Sequence, residues 1–162
     1  MTDNNRLSMK RIFGIAAVAF AVILTGSCEK YEDGRPEKSV RNEFSQMYPD
    51  AKDIEWDREH SWWKVSFETG TAPNRTEHEA WYDLNGQWIR TETDMRLSAV
   101  PERIMGFLSA SEYGSASFED NDAEFIQTPS GNYYRFDLVH SGVEIYIDVS
   151  EAGKVTLAKF DW

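Results

Sequence analysis

Cysteine is almost missing from this chain of 162 residues: Cys28 is the only one. That excludes a disulfide framework, a thiol nucleophile in the body of the fold and a cysteine-built zinc site. Histidine is scarce too. His60, His78 and His140 lie far apart with no paired spacing, so no metal ligand set is expected. No glycine-rich phosphate loop occurs, and Ser130-Gly131 and Ser141-Gly142 read as turns. Positive charge is short: 17 Lys and Arg stand against 28 Asp and Glu, a net charge of −11. Phosphates demand a basic surface, which excludes nucleic acid as a partner, and anionic lipid head groups are excluded likewise. Long apolar runs are absent except for Ile12 to Leu24. That run falls short of the about 20 residues a membrane span needs.

Residues 1–27 read as an export leader. Lys10 and Arg11 form its basic start, and Thr25-Gly26-Ser27 leads from the apolar run into Cys28. Small residues before a lone cysteine resemble a bacterial lipobox, with Thr25 where that pattern has Leu. The expectation is cleavage before Cys28 and lipid attachment to it, which also removes a free thiol from an oxidising compartment. The protein would then be exported and lipid-anchored in the cell envelope, in the periplasm, at the outer membrane or at the cell surface. Membrane contact would run only through the anchor at Cys28. Losing Asp3, Arg6, Lys10 and Arg11 with the leader makes the net charge more negative than −11. Residues 28–36, polar and holding Gly34 and Pro36, read as a tether.

What is present is aromatic and alternating. Trp62-Trp63-Lys64-Val65-Ser66-Phe67 and Tyr133-Tyr134-Arg135-Phe136-Asp137-Leu138 carry the same two-sided strand pattern. Glu79-Ala80-Trp81-Tyr82-Asp83 and Glu144-Ile145-Tyr146-Ile147-Asp148 form a second matching pair. Helical periodicity precedes each half: Val40, Phe44, Met47 and Tyr48, then Val100, Ile104, Phe107 and Leu108. Pro36 suits the first turn of the first helix and Pro49 stops it. Ser98 is the expected cap of the second, with Pro101 in its first turn. Strands are expected at 53–57, 61–69, 76–84 and 88–94, and again at 123–128, 132–140, 142–149 and 154–160. A loop is expected over 114–122. Asn85-Gly86 marks a tight hairpin, and Gly153 is expected to serve the same turn with two extra residues. The fold class is α+β. Tandem α-β4 repeats, 37–95 and 96–162, would join into a continuous antiparallel sheet with the helices on one face.

Alternation gives one face to a core: Ile54, Trp56, Trp63, Val65, Phe67, Ala80 and Tyr82, then Tyr134, Phe136, Leu138, Val143, Ile145 and Ile147. The opposite face carries Trp62, Lys64, Trp81, Tyr133, Arg135 and Tyr146 among carboxylates such as Glu55, Glu79, Asp83, Asp137, Glu144 and Asp148. Aligned on the repeat, Trp62 corresponds to Tyr133 and Trp81 to Tyr146. Trp, Tyr and Arg dominate binding hot spots, and clustered exposed apolar surface usually has a use. The same aromatics also stabilise a sheet as cross-strand pairs. Trp88 stays open. A two-residue turn puts Ile89 on the core face, and a bulge at Gly86 puts Trp88 there.

In order, the first helix, Tyr48-Pro49-Asp50-Ala51-Lys52, Ile54-Glu55-Trp56, Trp62 to Phe67 and Glu79 to Trp88 resemble the PepSY-like family. These are secreted bacterial proteins described as β-lactamase-inhibitor-like. The second half matches through Thr128-Pro129-Ser130-Gly131-Asn132-Tyr133-Tyr134 and Val143 to Lys154. It has Glu112-Tyr113-Gly114 where the first half has Tyr-Pro. The resemblance implies units like those of β-lactamase inhibitory protein, whose concave sheet grips its enzyme. It carries over no catalytic residue, cofactor or metal ligand. The expectation is a non-enzymatic module that binds a protein or peptide on the open sheet face, in the manner of a peptidase or hydrolase inhibitor. The alternative is a small-molecule or glycan binder, because Trp and Tyr platforms also stack on sugars.

Overall fold

The computed structural model describes residues 29–31 and 34–159. The leader and Cys28 lie outside the described residues. The elements in chain order are β1 (Lys30–Tyr31), α1 (Lys38–Met47), β2 (Lys52–Glu59), β3 (Trp62–Thr71), β4 (Asn74–Asp83) and β5 (Trp88–Arg96). A 3₁₀ turn (Leu97–Ala99) leads to α2 (Glu102–Ser109), β6 (Ser117–Phe118), β7 (Asp122–Thr128), β8 (Gly131–His140), β9 (Val143–Ser150) and β10 (Val155–Leu157). The described residues build one ten-stranded sheet in the order β1-β2-β3-β4-β5-β7-β8-β9-β10, with β6 on β8. β1 pairs with β2 in parallel. The other pairings are antiparallel.

The alternation in β3 is borne out. Trp63, Val65 and Phe67 are buried, while Trp62, Lys64 and Ser66 are half-buried on the other side. Phe44 of α1 meets Trp56, Phe67 and Tyr82 edge-on, with ring centroids 5.3, 5.1 and 6.5 Å away. Such aromatic edges add to the burial itself. This first cluster also holds Val40, Ile54, Trp63, Val65 and Ala80. A second cluster gathers Val100, Ile104 and Leu108 with Tyr134, Phe136, Leu138, Ile147 and Val149.

Several expectations are corrected. The tether is not only a linker: Lys30 and Tyr31 add a strand opposite Glu55 and Trp56. The expected loop at 114–122 contains β6. Ser98 does not cap α2, because Pro101 holds that position. A residue before proline is driven away from helical geometry, and Val100 is extended at φ −67° and ψ 133°. Met47 and Phe107 leave the helical stripes at 36% and 37% exposure. Val143 is 61% exposed, because it follows directly on the Gly142 turn, where φ is +78°.

The β4–β5 hairpin settles Trp88. Trp81 pairs with Arg90 but Tyr82 pairs with Trp88, so Ile89 is the bulged residue. The turn closes with the bulge at Gly86, where Asp83 N–H meets Gln87 O. Trp88 therefore falls opposite Tyr82 on the core side beside the first cluster. The bulge at Ile89 then brings Arg90 opposite Trp81. The Trp88 indole Nε1 donates to Thr91 Oγ1 at 2.9 Å. In the turn, Asp83 N–H donates to Gln87 O and Gly86 N–H to Asp83 O. Ser150, Gly153 and Lys154 repeat both bonds. The Gly153 turn therefore has the same length as the Gly86 turn, with no extra residues.

Candidate functional site

Cross-strand partners share a face, so the register maps the open side of the sheet. One line across it runs Asp57, Lys64, Trp81, Arg90. The next runs Glu55, Ser66, Glu79, Glu92, Ile126, Tyr133, Ser150. A third contains Asp94, Glu124, Arg135 and Asp148. Asp137 faces Tyr146 further along.

Trp81 is not the exposed platform that alternation suggests. Its side is right, but it is only 7% exposed. Arg90 lies 4.5 Å from its ring centroid and Lys64 5.9 Å away. Cationic stems lie flat on aromatic faces, and here they cover the indole from two sides. Its Nε1 has no hydrogen-bond partner. Lys64 Nζ sits 3.5 Å from Asp57, 3.5 Å from Glu59 and 3.8 Å from Glu79. Burial lowers its pKa, but Glu79, Asp57 and Glu59 outweigh that and hold it above the ordinary lysine value.

Tyr133 and Arg135 form the second part of the site. Arg135 Nε and Nη2 donate to the two oxygens of Asp148 at 2.8 and 3.1 Å. This is a bidentate fork, with the two side chains only 11% and 17% exposed. Burial opposes the charge on Arg135, yet Asp148 keeps its pKa raised. The guanidinium stands 5.7 Å from the Tyr133 ring centroid. Burial raises the Tyr133 pKa, and Arg90 and Glu92 both lie close enough to act on it. Arg90, Glu92 and Ile126 therefore bridge Trp81 to Tyr133. Alternation within single strands misses these three. The bulge at Ile89 shifts the register of β5, and Ile126 reaches the face only through the β5–β7 pairing. Ile126 is fully buried on this side.

Trp62 and Tyr146 lie apart from that centre. Trp62 pairs with Glu59 and Asp83 at the start of β3. Tyr146 OH donates to Glu144 Oε1 at 2.9 Å on β9. Five strand steps separate β3 from β9, roughly 24 Å at sheet spacing. The pairing also corrects the correspondence of aromatics. Lys64 faces Trp81 while Arg135 faces Asp148, so Trp81 takes the place of Asp148 and Tyr146 that of Glu79. Trp62 and Tyr133 remain matched, opposite Asp83 and Ser150, the two turn residues. Among the described residues no group of His, Cys, Asp and Glu could hold a metal ion. No described helix is long and apolar enough to cross a membrane. Cys28, the expected lipid site, lies outside the described residues.

A sheet with helices and a charged, aromatic open face defines a class of α+β proteins resembling β-lactamase inhibitory protein. The chain belongs to the family described as "Putative beta-lactamase-inhibitor-like, PepSY-like", whose model matches residues 61–155. Among curated proteins, none matches. Several solved structures resemble it. A "BLIP-like protein" from Bacteroides fragilis has TM-score 0.66 and 19% identity, covering 76% of this chain and 85% of its own. A "DUF2874 family protein" from Bacteroides ovatus has TM-score 0.63 and 18% identity, covering 77% and 89%. One of the "putative periplasmic proteins" from Bacteroides eggerthii has TM-score 0.61 and 20% identity, covering 75% and 86%. These likenesses establish the fold.

Proposed function

We propose that this protein is a non-enzymatic, inhibitor-like module that binds a protein or peptide across its open sheet face. The observation that carries this reading is the spread of Trp62, Tyr133 and Tyr146. All three are half-buried on one face, and roughly 24 Å spans the outermost strands that bear them. A small ligand or a short glycan cannot touch them together. A protein surface of standard interface size can. The test is a W62A/Y133A/Y146A variant, with Trp81 left in place because it is buried. Its Tm should stay within a few degrees of wild type. A photo-crosslinker at position 133 should capture an envelope protein, and one at Phe107 on α2 should not. Unfolding of the triple variant would instead assign the aromatics to stability. Retarded migration on a glycan-bearing gel would favour the sugar reading.

The envelope reading rests on the leader, on Cys28 as the lipid site, and on the description of the Bacteroides eggerthii relative as periplasmic. Cys28→Ala should move the protein from the membrane to the soluble fraction, and unchanged fractionation would remove the anchor. The tandem reading, 37–95 and 96–162, is supported by the identical turns at Gly86 and Gly153. Placement of Val40 and Phe44 in α1 like Ile104 and Leu108 in α2 supports it too. Helices on a common face agree with the line Phe67, His78, Thr93, Phe125, Tyr134, Val149 across six strands.

A further inference from the structure

We infer that the partner of this face presents a basic polypeptide segment, and that the segment lies across β4, β5 and β7. This rests on the open-face reading above and names the chemistry of the partner. On those strands and β3, like charges face one another across the ladder: Glu68 opposite Glu77, Glu79 opposite Glu92, and Asp94 opposite Glu124. Directly opposed like charges destabilise a sheet. Internal cations answer part of this charge, Arg75 at Glu68, Lys64 at Glu79 and Arg90 at Glu92. Glu77 and Asp94 are exposed, so the surface they mark is open to a partner.

A second observation separates a polypeptide from an inorganic cation. Trp81 lies on the same face, next to Glu79 along β4, more than nine-tenths buried, and its indole N–H meets no acceptor. A buried donor left unmade is costly. Lys64 and Arg90, which cover the indole, are themselves held by carboxylates of this face, Lys64 by Asp57, Glu59 and Glu79 and Arg90 by Glu92. Lysines or arginines of an incoming chain compete for those carboxylates and draw the two stems aside. A backbone carbonyl of the same chain then accepts from Trp81. A bare metal ion supplies the charge but no acceptor. Complementary charge of this kind sets the on-rate and the choice of partner.

The experiment compares octalysine, octaglutamate and a neutral glycine-serine octapeptide by calorimetry and amide chemical shifts. The proteins are the wild-type chain, E77Q/D94N on the open face, and E43Q/E102Q on the helices, which has the same net charge as E77Q/D94N. Octalysine should bind the wild type and E43Q/E102Q alike and E77Q/D94N about tenfold more weakly. Shifts should concentrate on β4, β5, β7 and the Trp81 indole. Equal weakening in both double variants, or shifts gathered on α1 and α2, would overturn the inference in favour of plain net-charge attraction. Calcium chloride moving the same signals as octalysine, with the indole unmoved, would also overturn it. If E77Q/D94N leaves capture by the crosslinker at position 133 intact while W62A/Y146A abolishes it, the basic partner falls and the binding face stands. Loss of neither would sink the face itself.

Discussion

Asp137 lies on the open face opposite Tyr146, with Glu144, Asp120 and Glu119 near enough to repel it. Burial, then those three carboxylates, push its pKa up to about 6, and a contact with Tyr146 offsets part of the rise. A carboxyl whose folded pKa exceeds the unfolded 3.8 holds its proton better when folded. It therefore stabilises at low pH, and that contribution is lost as pH rises through about 6. Asp137→Asn should raise Tm at pH 7.5, with the gap closing between about pH 6 and about pH 4. A Tm gain that persists unchanged at pH 4 would contradict this origin. Arg135 behaves oppositely. Removing it leaves Asp148 largely buried and unmatched, so Arg135→Ala should cost about 3 kcal/mol in urea unfolding. The R135A/D148A double variant should recover part of that loss. Arg135→Lys should fall between, since an ammonium cannot reproduce the two parallel bonds.

Turns and strands show where local pattern suffices and where it fails. Trp63, Val65 and Phe67 declare their face by alternation alone, and Asn85-Gly86 declares a hairpin. Neither tells whether the turn closes on two residues or with a bulge at Gly86, because Asn85-Gly86 suits both and only the packing of Trp88 beside Tyr82 decides. Trp81 shows the same limit at the site. Its side was legible in the β4 pattern, but its burial comes from Arg90 and Lys64 on neighbouring strands. β1 was illegible, since a two-residue strand has no periodicity to read. Gly86 offers the sharpest test at this scale. Its φ is +93°, and an added Cβ would lie 3.2 Å from Val40 N and 3.3 Å from Val40 Cα. The β4–β5 turn is thus packed against the first turn of α1. Gly142, at φ +78°, would meet nothing within 4 Å. Gly142→Ala should cost about 1 kcal/mol, the conformational penalty alone. Gly86→Ala should cost clearly more, because it also pushes α1 off the sheet. Equal Tm losses for the two would mean that the turn does not position the helix.

The two hydrophobic clusters share no buried residue, so the whole molecule is held together at the β5–β7 seam. There Thr91 to Arg96 pair continuously with Gln127 to Asp122. On the open side the seam carries Ile126, fully buried between Glu92 and Tyr133. Partners some 30 residues apart cannot be matched by local periodicity, which is why the seam and its buried isoleucine were not legible beforehand. A unit of about 60 residues buries too little surface to be secure alone, so the seam should couple both clusters into one transition. Five of the six tryptophans, Trp56, Trp62, Trp63, Trp81 and Trp88, precede the seam, so with Trp162 replaced by Phe in every protein compared, tryptophan fluorescence follows the first half, while far-UV circular dichroism follows the whole sheet. The two urea curves should coincide in the wild type. Ile126→Asp places a charge where no water reaches and should cost more than about 3 kcal/mol. It should shift both curves together, although Ile126 belongs to neither cluster. Val143→Asp, on an exposed hairpin tip, should change stability by less than about 0.5 kcal/mol. If Ile126→Asp instead leaves the fluorescence curve in place and moves only part of the dichroism, the halves fold independently, and the open face is two surfaces meeting at an edge.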